Sequence, residues 1–263
     1  MTNKIVEAQN QAKELTAAGK YKEALHYWQT ALQLSEKRYG ENNRTTLFCI
    51  DGVAKCLIER KRHGEALTYQ LRAVSISDEL FGSTHKTTLV CNQAAAITLM
   101  KLKRHGEALS YMKRALSISD DVFGAEHRTT FFCLGEVAKC LMELNQHVEA
   151  LQYRKEATLL SETLFGLHHR TTFFCLGELA KCLMKLERYN EALPVWQRAL
   201  TLCPELFGSE HKTTLFCVAK IEECKQVLGQ DNKAPSTGNR ALRFGLDLLG
   251  KLRMAFRFRA AKN

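Results

Sequence analysis

A glycine recurs every 42 residues along this chain, at Gly40, Gly82, Gly124, Gly166 and Gly208. Four of the five follow an apolar residue and a phenylalanine: Leu80-Phe81, Val122-Phe123, Leu164-Phe165 and Leu206-Phe207. All five precede one cassette, read as Asn43-Arg44-Thr45-Thr46, His85-Lys86-Thr87-Thr88, His127-Arg128-Thr129-Thr130, His169-Arg170-Thr171-Thr172 and His211-Lys212-Thr213-Thr214. A period of this length marks a repeat architecture, in which each unit cannot cover its apolar face alone and stacks on copies of itself. A domain built around one central core has no reason to keep such spacing.

Within a unit the hydrophobic pattern has helical periodicity twice. Phe132, Val137, Leu141 and Leu144 form one apolar stripe, Asn145-Gln146 interrupts it, and Leu151, Ala157, Leu160 and Leu164 continue on a second helix. The paired threonines suit an N-cap and the glycine after Leu-Phe suits a helix stop. Two alanine columns, Ala24, Ala66, Ala108, Ala150, Ala192 and Ala31, Ala73, Ala115, Ala157, Ala199, put the smallest side chains on one face of the second helix, where neighbouring helices can approach closely.

The Glu149-Ala150-Leu151-x-Tyr153 start of the second helix, after a first helix of the form Leu134-Gly135-Glu136-Val137-Ala138-x-x-Leu141, resembles the tetratricopeptide repeat. The 42-residue period and the His-x-x-Thr entry resemble most closely the longer repeats of the kinesin light chain family, here without that family's heptad coiled coil. The resemblance runs from Gly19 to roughly Leu228. It implies an all-α fold, a right-handed α-solenoid of helix-turn-helix repeats, with the first helix of each pair lining a concave groove. It also implies a pair of asparagines gripping a peptide backbone, but the matching places hold Asp51-Gly52, Gln93-Ala94, Gly135-Glu136, Gly177-Glu178 and Ala219-Lys220, so that grip is not carried over.

The expected organisation is a solenoid over residues 1–228, with about five helix pairs and the first helix of a sixth. A loop over 229–239 contains Pro235 and Gly238, and a degenerate capping helix with a basic tail fills 240–263. The register returns in that last segment, since Arg240-Ala241-Leu242 lies 42 residues after Arg198-Ala199-Leu200.

Composition narrows the function. The first residues mix Lys4, Glu7 and Lys13 with apolar ones, unlike a secretory signal, and no run approaches the ~18 apolar residues of a spanning helix, so a cytoplasmic location is expected. The ten cysteines then read as reduced thiols. Two columns, Cys49, Cys91, Cys133, Cys175, Cys217 and Cys56, Cys140, Cys182, Cys224, are read mainly as packing residues copied with the repeat, with a redox or metal role as the alternative. Residues seven apart on a helix lie about 10.5 Å apart, too far to share one zinc ion. His85, His127, His169 and His211 run along an edge instead of converging, and are read as closing the inter-repeat turns. No phosphate loop, nucleophile elbow or zinc-binding His pair is present. No catalysis, cofactor or metal is expected.

Helical spacing places three columns on the concave side implied by the resemblance. They are Phe48, Val90, Phe132, Phe174, Phe216; Lys55, Ile97, Lys139, Lys181, Glu223; and Ile58, Met100, Met142, Met184, Gln226. The Phe and Met columns either face the groove or fill the core between helices. In the groove, Phe48, Phe132, Phe174, Phe216, Met142 and Met184 supply adaptable contact area, and Lys55, Lys139 and Lys181 supply charge. A protein or peptide partner carrying aromatic and acidic residues is the expectation, and an adaptor or scaffold the function.

The net charge of +10 is concentrated at one end, because residues 240–263 carry seven arginines and lysines against Asp247 alone. A membrane- or RNA-associated protein acting through this tail, with Arg253, Arg257 and Arg259, is the competing reading. The ladder Arg44, Lys86, Arg128, Arg170, Lys212 reads as solvated turn charge, and nucleic acid is disfavoured because acidic residues are dispersed through the repeats.

Overall fold

A computed structural model describes residues 2–229, and every regular element among them is an α-helix. In chain order these are α1 (Thr2–Ala17), α2 (Tyr21–Tyr39), α3 (Arg44–Glu59), α4 (His63–Phe81), α5 (Lys86–Lys101), α6 (His105–Phe123), α7 (Arg128–Glu143), α8 (His147–Phe165), α9 (Arg170–Lys185), α10 (Tyr189–Leu206) and α11 (Lys212–Val227). A 16-residue first helix alternates with a second helix of 19 residues, or 18 in α10. The proposed loop over 229–239, apart from Gly229, and the proposed capping helix and tail with Arg253, Arg257 and Arg259 lie outside the described residues.

Packing divides the chain into two compact units, Met1–Asn145 and Gln146–Asn263. Within the first, each helix from α1 to α6 packs against its successor; within the second, α8 packs on α9, α9 on α10 and α10 on α11. Alternating helical hairpins of this kind make the all-α solenoid class. The first alanine column lies wholly in the core: Ala24, Ala66, Ala108, Ala150 and Ala192 have no exposed surface. All ten cysteines are free thiols, eight buried and Cys91 and Cys175 half-buried.

The repeat cassette works differently from the sequence expectation. The N-cap of the first helix is the residue before the basic one, not a threonine. Backbone N–H groups of Thr87, Thr129, Thr171 and Thr213 donate to Nδ1 of His85, His127, His169 and His211 at 3.1–3.2 Å, and Asn43 Oδ1 accepts from Thr45 N–H at 2.8 Å. Asn is a preferred cap, and an unprotonated imidazole nitrogen takes the same role. The second threonine goes inward. Thr46, Thr88, Thr130, Thr172 and Thr214 are buried, and each hydroxyl donates to the carbonyl of the repeat glycine six residues back, at 2.7–2.9 Å. Gly82 and its equivalents hold φ between +83° and +95°, a region a β-carbon disfavours. The glycine, histidine and second threonine together form one inter-repeat corner.

A second corner recurs after each first helix. Gly19, Lys61, Lys103, Asn145, Glu187 and Gly229, again 42 apart, all have φ between +58° and +72°. Three of them are neither Gly nor Asn, so the left-handed turn is imposed by the flanking helices and not by local preference.

Candidate interaction surface

The first helices separate the candidate columns. The phenylalanine column faces solvent: relative exposure is 43% at Phe48, 40% at Phe132, 58% at Phe174 and 44% at Phe216, with Val90 at 57%. Lys55, Lys139 and Lys181 are exposed beside it. The third column, Ile58, Met100, Met142 and Met184, is half-buried, packed inward at its base and open at its edge. The core reading therefore fits part of the Met column and none of the Phe column.

Three of the exposed rings pack edge-on against a neighbouring ring. Phe48 meets Trp28 edge to face with centroids 5.3 Å apart, and Phe216 meets Trp196 the same way at 5.7 Å. Both indoles are buried at the same position of their repeats, Trp28 donating to Thr16 Oγ1 at 3.3 Å and Trp196 to Met184 Sδ at 3.1 Å. Phe174 lies edge-on to Phe173, centroids 5.5 Å apart. Ordering these rings in advance lowers the entropy that a partner must overcome on binding.

Cations complete the face. Lys13 Nζ stands 5.0 Å from the centroid of Phe48, and Lys181 and Lys220 stand 5.9 and 5.7 Å from that of Phe216. Lys13 belongs to the lysine column, 42 residues before Lys55, and the irregular first repeat hides it from the sequence pattern. Charge is not uniform. Lys139 pairs with Glu136 at 3.6 Å and Lys181 with Glu178 at 2.8 Å, whereas neither Lys13 nor Lys55 has a carboxylate within 4 Å among the described residues.

The tetratricopeptide repeat family model matches residues 5–79, 46–118 and 87–161, and a second model of the same repeat matches 173–206. The chain belongs to the tetratricopeptide repeat family. No curated protein matches it by sequence. Among solved structures it is similar to a Podosopora anserina protein described as kinesin light chain, with nearly identical TPR-like repeats: TM-score 0.67, 15% identity, 77% of this chain and 96% of that one. BtubC (BKLC) from P. vanneervenii aligns at TM-score 0.63 and 14% identity over 97% of this chain and 92% of that one. YrrB, described as a TPR protein with an unusual peptide-binding site, aligns at TM-score 0.56 and 16% identity over 88% of this chain and 98% of that one. At these identities the likeness is one of fold.

The basic ladder of the tetratricopeptide repeats has a structural role instead of free charge. Arg44 lies over the Phe81 ring at 5.0 Å, Lys86 over Phe123 at 5.6 Å and Arg170 over Phe207 at 5.1 Å. The capping histidine stacks on the same ring, with Phe81–His85, Phe123–His127 and Phe207–His211 centroids 4.8, 4.4 and 5.5 Å apart. Each of these cations, at the start of a first helix, thus clasps the phenylalanine at the end of the second helix of its own repeat, and the histidine of the following repeat stacks on the same ring. Among the described residues no cluster of three His, Cys, Asp or Glu side chains is placed to hold a metal ion, and no helix is long and apolar enough to cross a membrane.

Proposed function

We propose that this tetratricopeptide repeat protein is a non-catalytic cytoplasmic adaptor that holds segments of a partner protein on the exposed faces of the first helices within each of its two units. One observation carries the reading: aromatic rings that could have been buried are instead presented to solvent at the same position of successive repeats, backed by packed side chains and bordered by lysines. Repeated apolar exposure on an otherwise well-buried fold marks an interaction surface. The contacts available are side-chain contacts, through Phe48, Phe132, Met142, Lys55 and Lys139 in the first unit and through Phe174, Phe216, Met184 and Lys181 in the second. They favour an extended or helical segment that combines aromatic with acidic residues. A peptide-binding tetratricopeptide neighbour such as YrrB is consistent with this use of the fold.

Peptide-display selection on the full chain, repeated on Phe132→Ala and Lys139→Glu, tests the proposal. Loss of the aromatic element of the selected motif in the first variant, and of its acidic element in the second, is the expected result. Motifs unchanged by both substitutions would remove the surface from consideration.

A further inference from the structure

The second helix carries a buried serine in its last full turn in four repeats, Ser35, Ser77, Ser119 and Ser161, and Cys203 in the fifth. Those serines serve the corner that follows. Ser35 and Ser119 share hydrogen bonds of 2.9 Å with Thr46 and Thr130, while Ser77 and Ser161 donate to the carbonyls of Val74 and Thr158 and their own carbonyls accept from the hydroxyls of Thr88 and Thr172 at 3.2 Å. In the fifth repeat the serine-to-cysteine exchange sets two sulfurs face to face. Cys203 Sγ in α10 lies 3.8 Å from Cys217 Sγ in α11, and neither residue has exposed surface.

We propose that Cys203 and Cys217 form a dithiol that a peroxide closes to a disulfide, covalently pinning α10 to α11. The sulfurs need approach by only about 1.8 Å to reach bonding distance, a shift within the reach of side-chain rotation. Cys203, at the irregular end of α10, is the attacking group, and the hydrogen bond it shares with Cys217 lowers its pKa from the ordinary thiol value against the opposing effect of burial. Cys217, bonded to Cys203 and buried, is pushed the other way and keeps its proton longer. The Cys203 thiolate attacks one peroxide oxygen, the O–O bond breaks, hydroxide leaves and a sulfenic acid forms. The Cys217 sulfur then attacks Cys203 Sγ as its proton is lost, hydroxide leaves from Cys203 and takes that proton, and water is the product. Two thiols and one hydrogen peroxide give one disulfide and two waters.

Access comes from the end of α10. Pro204 follows Cys203 directly and has no N–H for the carbonyl of Leu200, so this last turn lacks one helical bond. Its end is irregular as well, with the N–H groups of Phe207 and Gly208 both directed at Cys203 O, at 2.9 and 3.2 Å. Local opening there exposes the sulfur without unfolding the repeat.

The test is made on the full chain, reduced, desalted, treated with hydrogen peroxide, then unfolded in N-ethylmaleimide and digested for mass spectrometry. The expected product is a peptide pair linked through Cys203 and Cys217. Cys203→Ser, which restores the residue of the other four repeats, should keep the helical circular dichroism and leave Cys217 fully alkylated. The proposal fails if both thiols are alkylated while half-buried Cys91 or Cys175 is oxidised, or if either forms its link with another cysteine.

Discussion

The indole of Trp28 occupies the space a side chain at position 52 would need: a β-carbon added to Gly52 would lie 2.3 Å from Trp28 Cδ2. The two residues act as one unit, the large ring of α2 filling the notch that glycine leaves in α3. In the fourth repeat the corresponding positions hold Arg154 and Glu178, whose charged groups meet at 3.3 Å, so the same contact is made by an ion pair.

Gly52→Ala is therefore expected to destabilise by about 1–3 kcal/mol, because the overlap with Trp28 outweighs the ~1 kcal/mol that alanine gains over glycine within a helix. Gly135→Ala, where an added β-carbon meets nothing within 4 Å, should instead stabilise by up to ~1 kcal/mol. Urea denaturation of the two variants checks the opposite signs.

The histidine caps make a graded prediction. His127→Ala removes both the acceptor for Thr129 N–H and the stack on Phe123, whereas His127→Asn restores the acceptor that Asn43 supplies in the first corner. Asn should be less destabilising than Ala by about 1 kcal/mol, measured as the difference in unfolding free energy. Equal losses would show that the ring stack, not the cap, holds the corner.

Alkaline pH should weaken the fold through its thiols. Burial raises the Cys140 pKa to about 11, with Glu136 adding to the rise. A thiol whose folded pKa exceeds its unfolded value contributes stability that is complete below the unfolded value, near 9, and is lost as pH rises toward about 11. Two pKa units correspond to on the order of 2 kcal/mol for this one group. Denaturation midpoints at pH 7.5 and 10.5 should converge in Cys140→Ala relative to the parent, and an unchanged difference would reject the assignment.

At the candidate surface, stability and binding should separate. Phe132 is 40% exposed, so Phe132→Ala should cost no more than about 1 kcal/mol in folding while weakening a display-selected peptide at least about tenfold. Lys13→Glu should act most strongly on acidic peptides, since the Lys13 ammonium stands 5.0 Å from the Phe48 ring and makes no ion pair within 4 Å among the described residues. Calorimetric titration of each variant measures both effects.

Local order was legible because it repeats. The 42-residue interval, the two helices per unit and the alanine columns follow from hydrophobic period and turn residues, which act over a few neighbours and need no knowledge of what packs on them. The exposure of the Phe column was not legible, because a phenylalanine at helical spacing suits a core or an open face equally well. Only tertiary packing decides between them, and it leaves Phe48, Phe132, Phe174 and Phe216 exposed.

The same division applies at the corners and the sulfurs. The sequence determined that a histidine, a cation and two threonines recur together; the tertiary structure decided that the histidine caps, the second threonine turns inward and the cation lies on the ring at the end of the second helix of its own repeat. It also brought Cys203 and Cys217 together from adjacent helices. Spacing along a chain specifies which residues share a face, but the partner of each face is set by how helices stack, and that depends on contacts between residues far apart in sequence.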